Sequence, residues 1–151
     1  MVKRRILEAI IRKLEEERDS LIRAAQSARD EATDPESRQE GKYDMRAQTA
    51  AYLAEGQAKM AGDLAAAIAA FRAMPAESLP RDAAAEVGAL VTIQSKAETL
   101  LYFLGPQRGG LEITLDGAAI TVVTPGSTLG SRLLGMRAGE TNSLGTVLAV
   151  T

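Results

Sequence analysis

Four carboxylates crowd the segment 34–44, DPESRQEGKYD: Asp34, Glu36, Glu40 and Asp44. One or two carboxylates, completed by phosphate and water, are the usual protein contribution to a Mg2+ site. Carboxylates also start helices, so two uses compete. With Asp34 as N-cap and Pro35 at the first helical position, Asp34 and Glu36 favour the positive end of the helix macrodipole. Alternatively, SRQE is a capping box, with Ser37 as N-cap and Glu40 three residues on. Either arrangement accounts for two acids and neither for all four. In a helix begun at Pro35, Glu36, Glu40 and Asp44 share one face at i,i+4 spacing, where like charges cost about 0.2–0.5 kcal/mol per pair. Composition alone favours capping and solubility. Presentation of the acids becomes the better account once the flanking elements are considered.

Other chemistries are excluded more simply. The chain has no His and no Cys. Ser–His and Cys–His nucleophile pairs are therefore absent from it, and no thiolate or imidazole is on hand for a structural zinc. The Gly-rich TPGSTLGSRLLG lacks the Lys-Ser/Thr of a phosphate loop and the glycine spacing of a dinucleotide turn. It reads as a turn and a short helix, with Ser127 as N-cap and Gly135 as the stop. A net charge of −2 makes no case for a general nucleic-acid binder. No apolar run approaches the roughly 20 residues of a membrane span. The expectation is a soluble, cytoplasmic protein with no membrane association.

The elements on either side of the acids are long. Residues 3–33 contain neither Gly nor Pro, and Leu7, Ile10, Leu14, Glu17, Leu21, Ala24 and Ala28 recur at heptad steps. A second arm from about Asp44 to Met74 places Ala50, Leu53, Gln57, Met60, Leu64, Ala67, Phe71 and Met74 on the same kind of seam. The pattern predicts an antiparallel helical hairpin over 1–74 with an acidic tip near 34–44. Residues 75–82 read as a linker. From Ala83 on, GALVTIQ, ETLLYFL, GLEITL, AAITVVT and GTVLAV predict strands joined by tight turns, LDGA being a hairpin turn. The predicted class is α+β: a coiled-coil hairpin, then a small β-sheet domain (83–151) with one short helix. The basic start (Lys3, Arg4, Arg5, Arg12, Lys13) reads as a solvated helix end, and it gives the hairpin an electrical polarity against the acidic turn.

Several of these segments together resemble the bacterial GreA/GreB family of transcription elongation factors, over almost the whole chain. ITVVTPGSTLGSRLLGMRAGE (120–140) is similar to that family's strand, Ser-Pro-x-Gly-type turn, short helix and Gly-acid step. GALVTIQ resembles its first C-terminal strand, and ESRQEGKYDMRAQ its hairpin tip. EATDPESRQEGKYDMRAQTAAYLAEGQA looks like a distinct, divergent branch. The resemblance implies an FKBP-like C-terminal domain and a partner, bacterial RNA polymerase. It implies a hairpin inserted through the secondary channel and tip carboxylates that share the polymerase's Mg2+ and promote cleavage of backtracked RNA at the nascent 3′ end. The carried-over catalytic and metal-sharing residues are Glu36 and Glu40, with Asp34 and Asp44 as further members. The chain would have no cofactor of its own and would not be an enzyme alone. It would act as a monomer, with self-association left open. An FKBP-like label does not imply prolyl isomerase activity, because residues 83–151 offer only Tyr102 and Phe103 as aromatics. The absence of Cys argues against the zinc-containing channel binders. The alternatives are a channel binder that modulates transcription without cleavage and, further off, a coiled-coil scaffold protein.

Overall fold

The computed structural model describes residues 2–33 and 44–151. Two long helices come first: α1, Val2–Thr33, and α2, Asp44–Arg72. A mixed sheet and a short helix follow, so the α+β class holds. The chain divides into two compact units. One is Lys13–Ile68; the other combines Met1–Arg12 with Ala69–Thr151.

In the helical unit, α1 and α2 together line one groove, Arg18 to Arg29 facing Ala58 to Ala65. The start of α1 and the end of α2 both belong to the other unit, so the two helices run antiparallel. The buried residues are Leu14, Ala25 and Ala28 on α1, and Ala50, Ala54, Ala61, Leu64, Ala67 and Ile68 on α2. This corrects the expected α2 seam at two positions. Ala50, Leu64, Ala67 and Phe71 are buried as expected, but Ala54 and Ala61 are buried in place of Leu53 and Met60. Leu53 and Met60 are 55% and 54% exposed. Alanine has no bulk beyond Cβ, and here the alanine line is buried while the larger Leu53 and Met60 side chains are exposed. Met74 lies past the end of α2.

The other unit is built on a six-stranded sheet of order β3-β4-β2-β1-β6-β5. The strands are β1 Leu90–Ser95, β2 Glu98–Leu104, β3 Glu112–Leu115, β4 Ala118–Val123, β5 Thr141–Asn142 and β6 Gly145–Val150. All neighbours are antiparallel except β2 and β4. LDGA is the β3–β4 turn: Leu115 pairs Ala118 across Asp116 and Gly117, both at positive φ, as a type I′ turn demands. The two-residue β5 was not among the expected strands.

The strands alternate faces. Val91, Ile93, Leu104, Val123, Val147 and Val150 form one buried cluster with Leu133 of α3 (Thr128–Leu133). Val147 and Val150 are three apart and would face opposite ways in a regular strand. The register with β1 skips Leu148, and this bulge turns both valines into the same core. Leu90, Phe103, Ile120 and Val122 take the other face and are also buried. There Phe71 lies against Gly105, where an added Cβ would stand 3.1 Å from its ring.

α3 is seated by its own sequence. Ser127 caps it, Gly130 N donating to Ser127 Oγ at 2.9 Å. Gly135 follows the C-cap residue Leu134 at φ 83°. Gly130 is buried against the Thr124 carbonyl, where a Cβ would stand 1.8 Å from the oxygen. Residues 75–82 have neither helix nor strand, yet they make tertiary contacts: Lys3 Nζ donates to the Glu77 carbonyl, and Leu79 packs on the valine cluster.

Candidate functional site

α1 ends at Thr33 and α2 begins at Asp44, so the four-acid segment joins these two helix ends. Both ends belong to the helical unit, while the opposite ends of the same helices belong to the sheet unit. Asp34, Glu36 and Glu40 lie outside the described residues. Asp44 is the first residue of α2. Among the described residues no cluster of three or more acids could hold a metal ion.

At the basic start of α1 the expectation of a solvated helix end holds for Arg4, Arg5, Arg12 and Lys13, which are exposed, and fails at Lys3. Lys3 is buried, and its ammonium donates to the Glu77 carbonyl at 2.8 Å. Burial lowers its pKa, partly opposed by Glu86 and Glu77. Arg5 holds Asp116 of the β3–β4 turn in a bidentate pair, Nη1 to Oδ2 at 2.8 Å and Nη2 to Oδ1 at 2.7 Å. Those guanidinium hydrogen bonds hold the Asp116 carboxyl below its ordinary value and push Arg5 up. Two of the five basic residues thus join structure within the sheet unit. They are not presented for anions.

The helical unit also carries a groove of about 300 Å³. Ala25, Ala58, Ala61, Gly62 and Ala65 supply small side chains, and Arg18, Gln26 and Arg29 the polar ones. Arg18 pairs with Asp19 at 3.2 Å, and Gln26 donates to Asp30 at 2.9 Å. The concavity follows from the alanine seam, since small residues leave volume unfilled. The only advance signal was the density of Ala and Gly over 58–65.

In the sheet unit, Phe103 is fully buried and Tyr102 is half-buried against the valine cluster. Among the described residues no helix is long and apolar enough to cross a membrane. No protein-family model, curated protein or solved structure matches the chain.

Proposed function

We propose that the protein is a Gre-like factor that binds bacterial RNA polymerase, inserts its helical hairpin into the secondary channel and promotes cleavage of backtracked RNA. One observation supports this above the others. The acidic segment joins two long helices at the ends that belong to their own unit, while the other ends are built into a sheet unit. α1 alone is about 48 Å long, which suits delivery of acids into a narrow passage. In this reading Glu36 and Glu40 share the polymerase's Mg2+ at the RNA 3′ end, with Asp34 and Asp44 assisting. A carboxylate added to such a centre helps position water and stabilise the attacking and leaving oxygens. The sheet and α3 form the FKBP-like domain, which docks on the polymerase surface. The chain then stimulates the polymerase's own chemistry, with no cofactor of its own.

The test adds the chain to a backtracked polymerase complex with Mg2+ and follows labelled RNA. Shortening from the 3′ end is expected. Glu36→Gln or Glu40→Gln should reduce it on the order of tenfold or more, Asp34→Asn and Asp44→Asn less, and Mg2+ removal should abolish it. A second reading is a channel binder without cleavage. It is favoured by the spacing of Glu36 and Glu40 and by Gly41 directly after them, since no single register matches both acids to the family's pair. Binding with altered transcription and intact RNA would select it. A chain that neither binds polymerase nor changes transcription is a scaffold protein instead, and the Gre reading then fails.

A further inference from the structure

The groove between α1 and α2 has a chemistry that selects an occupant. Its floor is hydrocarbon: Ala25, Ala58, Ala61 and Ala65 present methyl groups, and Gly62 has no side chain at all. At Gly62 an added Cβ would meet nothing within 4 Å, so the groove is open there. Ile22, 51% exposed, stands on the α1 side of it. Arg18, Ile22, Ala25 and Arg29 fall at i, i+4, i+7 and i+11, on one face of α1. The two arginines therefore bracket the apolar stretch, their backbones about 16 Å apart along the helix. Among the described residues that line the groove, none carries a carboxylate.

A volume of about 300 Å³ is at the small end of ligand sites. It admits a narrow molecule and not a partner's helix, which is about 10 Å across. A cation would be repelled at both ends of the groove. A purely apolar molecule would gain nothing from the arginines, and a molecule with one acid would use a single arginine. An elongated molecule with an acid at each end meets both, while its middle covers the alanine floor. The guanidinium fork suits a carboxylate in particular. Arg18 now donates through Nε and Nη2 to one oxygen of Asp19, at 3.3 and 3.2 Å. Such a surface pair between adjacent residues is worth little, so a ligand carboxylate can replace it.

We propose that the groove binds an elongated organic dianion with an apolar middle, one carboxylate on Arg18, the other on Arg29, and the hydrocarbon along Ala58–Ala65. This does not depend on the transcription reading. The probe is dodecanedioate, titrated into the full chain with isotopically labelled alanine methyls and followed by NMR at about pH 7, where both carboxylates are ionised. Saturable shifts are expected at Ala25, Ala58, Ala61 and Ala65, and none at Ala119 or Ala149 of the sheet unit. Decanoate, with one carboxylate, and butanedioate, too short to reach both arginines, should each bind about tenfold more weakly or worse. Arg18→Gln and Arg29→Gln should each bring dodecanedioate down about tenfold, to the level of decanoate. Gly62→Leu fills the open space and should abolish the shifts while the helical circular dichroism is retained, since Leu favours helix more than Gly does. The absence of saturable shifts at millimolar dodecanedioate overturns the proposal. So does equal binding of decanoate, or binding that either arginine variant or Gly62→Leu leaves undiminished.

Discussion

Lys3 is enclosed, and its ammonium is held on the Glu77 carbonyl. Burial disfavours its charged form, so the folded state binds that proton less tightly than the unfolded chain does. Where the unfolded state holds more protons, stability rises with pH. The window runs from the lowered pKa up to the ordinary value of 10.5. We expect the wild-type denaturant midpoint to climb as pH rises towards 10.5, beyond what Lys3→Met shows. A variant with the same climb would mean that the ammonium is effectively solvated. Asp116 has the opposite dependence: its carboxyl is lowered, so its contribution is present above the unfolded value and lost as pH falls through the folded one. Both partners of that pair are exposed, so the effect is small. Neither contact was legible beforehand. Lys3 and Arg5 reach partners 74 and 111 residues away, and sequence spacing carries no signal at that range.

Local rules served well where an element is decided locally. The Ser127 cap, the Gly135 stop and the Asp116-Gly117 turn all stand as expected, because each depends on backbone conformation within a few residues. Gly130 belongs to a different class, since its need for no side chain comes from the Thr124 carbonyl beneath it. Gly130→Ala should cost about 2 kcal/mol or more, as overpacking against backbone does. Gly126→Ala, with nothing within 4 Å of the new Cβ, should stay within about 0.5 kcal/mol. Chemical denaturation of the two variants measures the difference. The α2 seam shows where periodicity stops helping. Leu53–Met60 and Ala54–Ala61 both recur at seven-residue steps, so periodicity alone does not separate them. The structure buries the second pair.

The two units have unlike cores. The sheet unit buries Phe71, Phe103, Ile93, Leu104, Leu133 and several valines, whereas the helical unit relies largely on alanine. Alanine removes little apolar surface from water, and stabilisation scales with that area. The middle of α2 also carries Gly56 and Gly62, each unfavourable in a helix by about 1 kcal/mol. Native-state hydrogen exchange should therefore show the amides of 50–62 opening at lower free energy than those of β1, β2 and β6. Equal protection throughout would mean that the units unfold as one.

The sequence by itself determined the element order, the turn chemistry, the α+β class and the acidic segment between two unbroken helices. Those features are written in short-range patterns: helix breakers, period-two and heptad apolar spacing, and caps. Only the tertiary structure decided which heptad line of α2 is buried, which leaves Leu53 and Met60 outward. It also decided that Lys3 and Arg5 are bound within the sheet unit, and that a bulge at Leu148 turns Val147 and Val150 into one core. Each of these rests on a contact between residues far apart in the chain, where packing volume and desolvation choose among arrangements that local pattern leaves equal.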